Sequence, residues 1–206
     1  MIIELAGLPG AGKSTVSRLA AASLGARSAK PSRSGLTRQS VRHPIVAARH
    51  LVPLLPHVTH WHDRMELNWL LRQRLGQESL AVRNSRLVLE EGIVHATAGT
   101  LVEYPNLHDA PWEPLVEGAS GIVVALEVDV ATARERLKQK TTSGAMRNRL
   151  LAEPADGETW EHLTSTYERV LSQVSQVRTL HRVDASAAAP RVAQRIVEVV
   201  RNSQVE

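Results

Sequence analysis

Two kinds of hydrophobic pattern alternate along the chain. Short, nearly unbroken aliphatic runs occur at Ile2–Ala6, Leu87–Leu89 and Gly121–Val128, and a weaker one spans Thr179–Asp184. Runs of this length, bounded by glycine or polar residues, suit strands buried on both faces. Between them apolar residues recur at three- and four-residue spacing. Val16, Leu19, Ala20 and Leu24 form one such series, Leu67, Leu70, Leu71 and Leu75 a second, Leu163, Tyr167, Val170 and Val174 a third, and Val192, Ile196, Val199 and Val200 a fourth. That is the period of a helix with one buried face.

The spacing predicts a helix beginning near Gly12 and closed by Gly25, then a short strand at Ala26–Ala29. Helical pieces interrupted by Pro44, Pro53 and Pro56 are expected over Thr37–Leu55, and clearer helices over Asp63–Asn84 and Ile93–Tyr104. Asp129 is placed to cap a helix over Val130–Lys140, with Thr132 at the third position. Strands alternating with helices predict an α/β fold: a parallel sheet covered on both faces, in three layers, with right-handed crossovers. A chain of 206 residues suits a single domain, 1–206, and can bury a full core.

Composition changes this picture in three places. Phenylalanine is absent and aromatics are 3% of the chain, so the core must be aliphatic. Cysteine is absent, which removes disulfides and thiolate metal sites and fits a reducing cytoplasm. No apolar run reaches the roughly 18 residues of a membrane span, and the first strand starts without a signal-like segment, so a cytoplasmic protein without membrane partners is expected.

The net charge is +4, but its distribution matters more. From Leu5 to His62 there is no acidic residue, while Lys13, Arg18, Arg27, Lys30, Arg33, Arg38, Arg42 and Arg49 all fall there. Such a face either is balanced by later acids or concentrates anions, such as a triphosphate and an anionic acceptor. Basic–aromatic interleaving and recognition motifs are missing, which argues against nucleic acid. His57, His60 and His62 flank Trp61, and without cysteine they read as surface or pocket histidines rather than metal ligands. Trp61, Trp69 and Trp160 read as core or pocket wall.

The chemistry is concentrated at the first strand's end. Gly7-Leu8-Pro9-Gly10-Ala11-Gly12-Lys13-Ser14-Thr15 fits G-x-x-x-x-G-K-[ST] at every fixed position, between a strand and a helix. Gly7, Gly10 and Gly12 leave room for backbone N–H groups to converge on phosphate oxygens, with Leu8, Ala11 and Thr15 completing the turn. Lys13 supplies charge to the β- and γ-phosphates, and the Ser14 hydroxyl is a Mg²⁺ ligand. The helix dipole favours the same anion. A nucleoside triphosphate, ATP with Mg²⁺, is the expected ligand.

The second informative stretch, Leu87-Val88-Leu89-Glu90-Glu91-Gly92, ends a strand in two carboxylates. One of them can order Mg²⁺ or accept a proton from an acceptor hydroxyl, with Glu90 or Glu91 as catalytic candidates and Glu90 as metal ligand. Alternatively, both acids sit at a helix start and are stabilised by its dipole.

These two stretches, the Val128–Leu137 run and Val183-Asp184-Ala185-Ser186, occur in an order that resembles the P-loop nucleoside and nucleotide kinases, thymidylate kinase-like proteins among them. The resemblance implies a five-stranded parallel sheet, a helical acceptor-side region over about 36–84 and a short lid over about 138–149. It implies that Arg147 and Arg149 of the lid close over the transferring phosphoryl group, and that Asp184 and Ala185 lie where adenine rests. The Glu-Glu-Gly and Lys-Pro-Ser-Arg-Ser-Gly stretches depart from the thymidylate kinase pattern, so dTMP is not implied as acceptor. The expected activity is phosphoryl transfer from ATP to a small molecule such as a nucleoside, nucleotide or sugar, and a homodimer is compatible with the sequence. The competing class is an NTP-binding switch or regulatory ATPase without a small-molecule acceptor. It would need a strand-end aspartate, where this chain has Glu-Glu-Gly, and no guanine-selecting Asn-Lys-x-Asp is present.

Overall fold

The structure, a computed structural model, describes residues 1–29, 86–104, 107–108, 113–117, 121–140 and 145–203, together with the helical positions 70, 74, 77 and 80. The expectations for Thr37–Leu55, Trp61, Trp69, the three histidines around Trp61 and the lid tip at Thr141–Gly144 lie outside the described residues.

The aliphatic runs become strands β1 (Ile2–Ala6), β3 (Leu87–Leu89) and β4 (Ile122–Glu127), joined by β2 (Arg27–Ala29) and β5 (Leu180–Asp184). They form a five-stranded sheet in the order β2-β3-β1-β4-β5, with every pairing parallel. The register sets Glu4 opposite Leu89 on one side and Val123 on the other.

The helices are α1 (Lys13–Leu24), α2 (Ile93–Glu103), the short α3 (Glu113–Val116), α4 (Val130–Lys138), α5 (Ala145–Ala152), α6 (Glu158–Val177) and α7 (Ala189–Asn202). Gly25 ends α1 in the left-handed region at φ 59°, and Asp129 accepts from the Thr132 amide at 2.8 Å to cap α4, both as expected. That amide and the Thr132 hydroxyl hold the Asp129 carboxyl below the usual carboxylate range.

Because strand side chains alternate between faces, β1 feeds two separate cores. Ile3 and Leu5 pack with Val124 and Leu126 against α1 and α7. Ala6, Val123 and Ala125 pack under α2 and α6, where Trp160, Leu163 and Val170 are buried. Trp160 is fully buried, as the helical spacing predicts, and its indole N–H donates to the Leu150 carbonyl at 2.9 Å.

Glu4 belongs to the second face, with its side chain 0% exposed. One oxygen accepts from the Val94 amide at 2.6 Å, in the first turn of α2. The other accepts from Arg178 Nη1 at 3.0 Å, beyond the end of α6, and from Gln77 Nε2 at 3.2 Å. Gln77 in turn accepts from the Ile93 amide at 3.0 Å. A Cβ on Gly92 would lie 2.4 Å from the Glu4 carboxylate, so only glycine lets the turn after β3 come this close. One buried carboxylate therefore ties the centre of the sheet to the start of α2 and the end of α6.

Removing one charge of a buried pair strands the other, at a cost of about 3–5 kcal/mol. Glu4→Gln preserves shape and removes the charge, so it should lower the unfolding free energy by about that amount. Urea denaturation measures this, and an unchanged midpoint would contradict the pairing of Glu4 with Arg178.

Candidate active site

The turn between β1 and α1 is built by the absence of side chains. Gly7, Gly10 and Gly12 all take positive φ, at 141°, 91° and 88°. A Cβ on Gly10 would sit 2.1 Å from the Ala133 carbonyl oxygen in α4, and one on Gly7 would sit 2.7 Å from that of Leu126 in β4. The turn is thus pressed against the neighbouring strand and helix, and it closes on itself through Ala11 N–H donating to Leu8 C=O at 3.1 Å. Gly12 starts α1, accepting from the Thr15 and Val16 amides at 3.0 Å each.

Lys13 is buried and folds back over the turn. Its ammonium donates to the Gly7 carbonyl at 2.7 Å and to the Leu8 carbonyl at 3.0 Å. A cation nearly out of water, resting on two carbonyls of the turn, is positioned for an anion at the helix start. Ser14 is half-buried in the first turn of α1 and Thr15 is exposed.

A cleft of about 410 Å³ adjoins this turn, walled by Gly10, Gly12, Thr15, Arg136, Ala185 and Val192 among others. Arg136 shapes it: Nη1 donates to the Ala185 carbonyl at 2.7 Å and Nη2 to that of Ser186 at 2.9 Å, so α4 holds the loop after β5. Ala185 lines this cleft. Asp184 instead lines a separate cavity of about 430 Å³ that reaches Gly7, Glu127 and Tyr167. The Ser186 hydroxyl first, then the Ser186 amide donating at 2.8 Å and Arg195 at 3.6 Å, hold its carboxyl below the usual carboxylate range.

Glu90 and Glu91 are both half-buried at the end of β3. The Glu90 amide donates to Ala29 C=O at 3.1 Å, extending the pairing with β2. Glu91 Oε1 lies 4.0 Å from His95 Nε2, one helical turn on, and His95 Nδ1 meets the Tyr167 hydroxyl of α6. Glu91, His95 and Tyr167 line a third cleft, of about 280 Å³, whose other walls include Pro9 of the glycine turn and Met146 of α5.

The two arginines expected to belong to a lid are placed differently from each other. Arg147 donates through Nε to Leu137 C=O at 3.3 Å and through Nη2 to Lys140 C=O at 2.9 Å, so it satisfies the carboxyl end of α4. Arg149 is exposed and acts electrostatically on Glu153. Neither arginine lines any of the three clefts among the described residues.

Sequence reading passed over Glu4, His95, Arg136 and Tyr167. Glu4 stands as one polar residue in an aliphatic run, and its ion-pair partner is 174 positions away. His95 and Tyr167 are separated by 72 positions, and each sits in an ordinary helical pattern.

No family model matches the chain, and no curated protein matches it. Solved structures do. Deoxyadenosine kinase from M. mycoides with bound dATP superposes with a TM-score of 0.62 at 22% identity, over 100% of both chains. The chain has the P-loop kinase fold. Shikimate kinase from Acinetobacter baumannii in complex with shikimate gives 0.54 at 15% identity, over 100% of this chain and 95% of that one. YorR protein from Bacillus subtilis, in complex with phosphorylated GDP, gives 0.57 at 14% identity, over 100% of this chain and 99% of that one. No helix among the described residues is long and apolar enough to cross a membrane.

Burial pushes the Tyr167 phenol well above its ordinary value, and the charge of Glu91 pushes it the same way. The folded protein should therefore show no phenolate signal from Tyr167 as pH rises. Ultraviolet titration of wild type and Tyr167→Phe should give superimposable curves up to alkaline unfolding. A phenolate step present only in the wild type, before unfolding, would contradict the burial of the hydroxyl.

Proposed function

We infer that the protein is an ATP-dependent phosphotransferase that moves the γ-phosphate to a small-molecule acceptor. The observation that carries this reading is the turn at 7–13: three glycines at positive φ and one buried lysine, at the start of a helix and beside two clefts. The cleft under Arg136 suits the nucleoside, bringing its phosphates over Gly10 and Gly12. The cleft beside Pro9 lies across the same turn and suits the acceptor. Phosphoryl transfer needs in-line placement and positive charge at the equatorial oxygens more than covalent catalysis, and this arrangement offers both.

The donor set also suits Mg²⁺. Among the described residues no cluster of three or more His, Asp and Glu side chains could hold a metal by itself. Mg²⁺ in such enzymes keeps several waters and is bound by one or two protein oxygens together with substrate phosphates. The Ser14 hydroxyl and a Glu90 oxygen are hard donors of that kind, and the ion would supply charge neutralisation at the phosphates. Lys13 holds the β- and γ-phosphate oxygens, and Glu91 faces the acceptor side. Arg147 and Arg149 could add charge only by leaving the contacts described above. Asp184 shapes the loop that presents Ala185 to the nucleoside.

Lys13→Ala should abolish transfer, measured as labelled acceptor formed from labelled ATP. Glu90→Gln and Glu91→Gln should each lower kcat, by about 100-fold where proton transfer is lost, with a smaller effect on ATP affinity. Full turnover in both carboxamide variants would remove the carboxylates from the chemistry.

A further inference from the structure

In the cleft under Arg136, most of the backbone hydrogen-bond acceptors are already taken. The loop after β5 contributes only alanine side chains to its walls, Ala185, Ala187, Ala188 and Ala189, with Val192 beyond them. The four carbonyls of that stretch, 185–188, each accept a hydrogen bond from within the protein. Arg136 donates through Nη1 to Ala185 C=O at 2.7 Å, and through Nη2 to Ser186 C=O at 2.9 Å and Ala187 C=O at 3.5 Å. The Ala188 carbonyl accepts from the Arg191 and Val192 amides, at 2.9 and 3.2 Å, at the start of α7. Among the described residues, no carboxylate lines this cleft. Asp184, next to Ala185 in sequence, lines the other cavity.

The two common purines differ at ring position 6. Adenine carries an amino group there, which needs an acceptor, and guanine an oxygen, which needs a donor. A guanidinium seated on the Ala185 and Ser186 carbonyls is the electrostatic opposite of what an approaching amino group requires, so those carbonyls give adenine no advantage. Guanine gains nothing in return, because its N1–H and 2-amino group would need an acceptor that the described walls do not offer. The remaining polar side chains do not choose. Gln139, exposed at the end of α4, carries both an oxygen and an NH₂ group and can turn either toward the base. Lys140, exposed too, can donate to ring nitrogen N7, which both purines carry. A site built around a hydrogen bond rejects the analogue lacking it by about 10⁴-fold, whereas an apolar pocket separates close analogues by only about 10–200-fold. This cleft is of the second kind.

Resting on the phosphotransferase function inferred for the glycine turn, we propose that this cleft holds a purine by its ring and ignores the substituent at position 6, so that GTP serves as phosphoryl donor alongside ATP. Arg136 is the specificity-determining residue. By occupying the loop carbonyls it removes the acceptors that would single out adenine.

Isothermal titration calorimetry of the full chain, with Mg²⁺ and either adenylyl or guanylyl imidodiphosphate, reads this without any acceptor. One equivalent of each analogue should bind, each should displace the other, and the two dissociation constants should lie within about tenfold. Arg136→Met keeps much of the side chain's length and releases the carbonyls. In that variant the ratio of the two constants should move about fivefold toward the adenylyl analogue, the worth of one neutral hydrogen bond. A merely structural role for Arg136 would weaken both analogues alike and leave the ratio in place. If the variant does not fold, the wild-type ratio decides alone. A wild-type gap above tenfold, binding of both analogues at once, or an unmoved ratio in folded Arg136→Met overturns the proposal and leaves the phosphotransferase function standing. Binding of neither analogue removes that function and the proposal with it.

Discussion

The turn at 7–13 is shaped by steric exclusion. Gly10 stands where a single methyl group would meet the Ala133 carbonyl at 2.1 Å, and Gly7 where one would meet that of Leu126 at 2.7 Å. A backbone squeezed between β4 and α4 in this way can turn its amides toward one point, at the helix start where the dipole already favours an anion. Lys13 completes the electrostatics. With its ammonium on the Gly7 and Leu8 carbonyls, the loop holds its own counter-charge. Exchanging those carbonyls for phosphate oxygens replaces neutral partners with charged ones, and charge-assisted hydrogen bonds are the stronger kind.

The rest of the molecule aligns two clefts with this turn, and polar contacts do that work where apolar packing alone would allow sliding. Glu4 joins β1 to the first turn of α2 and to Arg178, so the strand that delivers the glycine turn and the helix that carries His95 share one anchor. Arg136 does the same on the other side, fastening the loop after β5 to α4. Tyr167 and His95 link α6 to α2 across the cleft beside Pro9. Each contact joins elements far apart in sequence.

This distribution explains what could be read in advance. The strands and helices were legible because burial on two faces or one writes itself into local spacing, as in Ile122–Glu127 and in the apolar stripe of α6. The glycine turn was legible because its chemistry demands particular residues at fixed intervals. Glu4 was not, since a lone acid in a strand has the same local signature whether it faces water or an arginine 174 positions on. The His95–Tyr167 contact has no local signature at all. The resemblance alone places Arg147 at the phosphates. In this structure its guanidinium donates to the carbonyls of Leu137 and Lys140 at the end of α4. Asp184 and Ala185 are adjacent in sequence, but a strand end turns their side chains into different cavities.

The claim at the centre is that the Gly7–Lys13 turn grips a triphosphate. A crystal structure of the full chain with Mg²⁺ and adenylyl imidodiphosphate tests it most directly. It should show the β- and γ-phosphates inside the turn, with the Lys13 ammonium moved off the Gly7 and Leu8 carbonyls onto their oxygens. Nucleotide bound elsewhere, with Lys13 still on both carbonyls beside an empty turn, would contradict it.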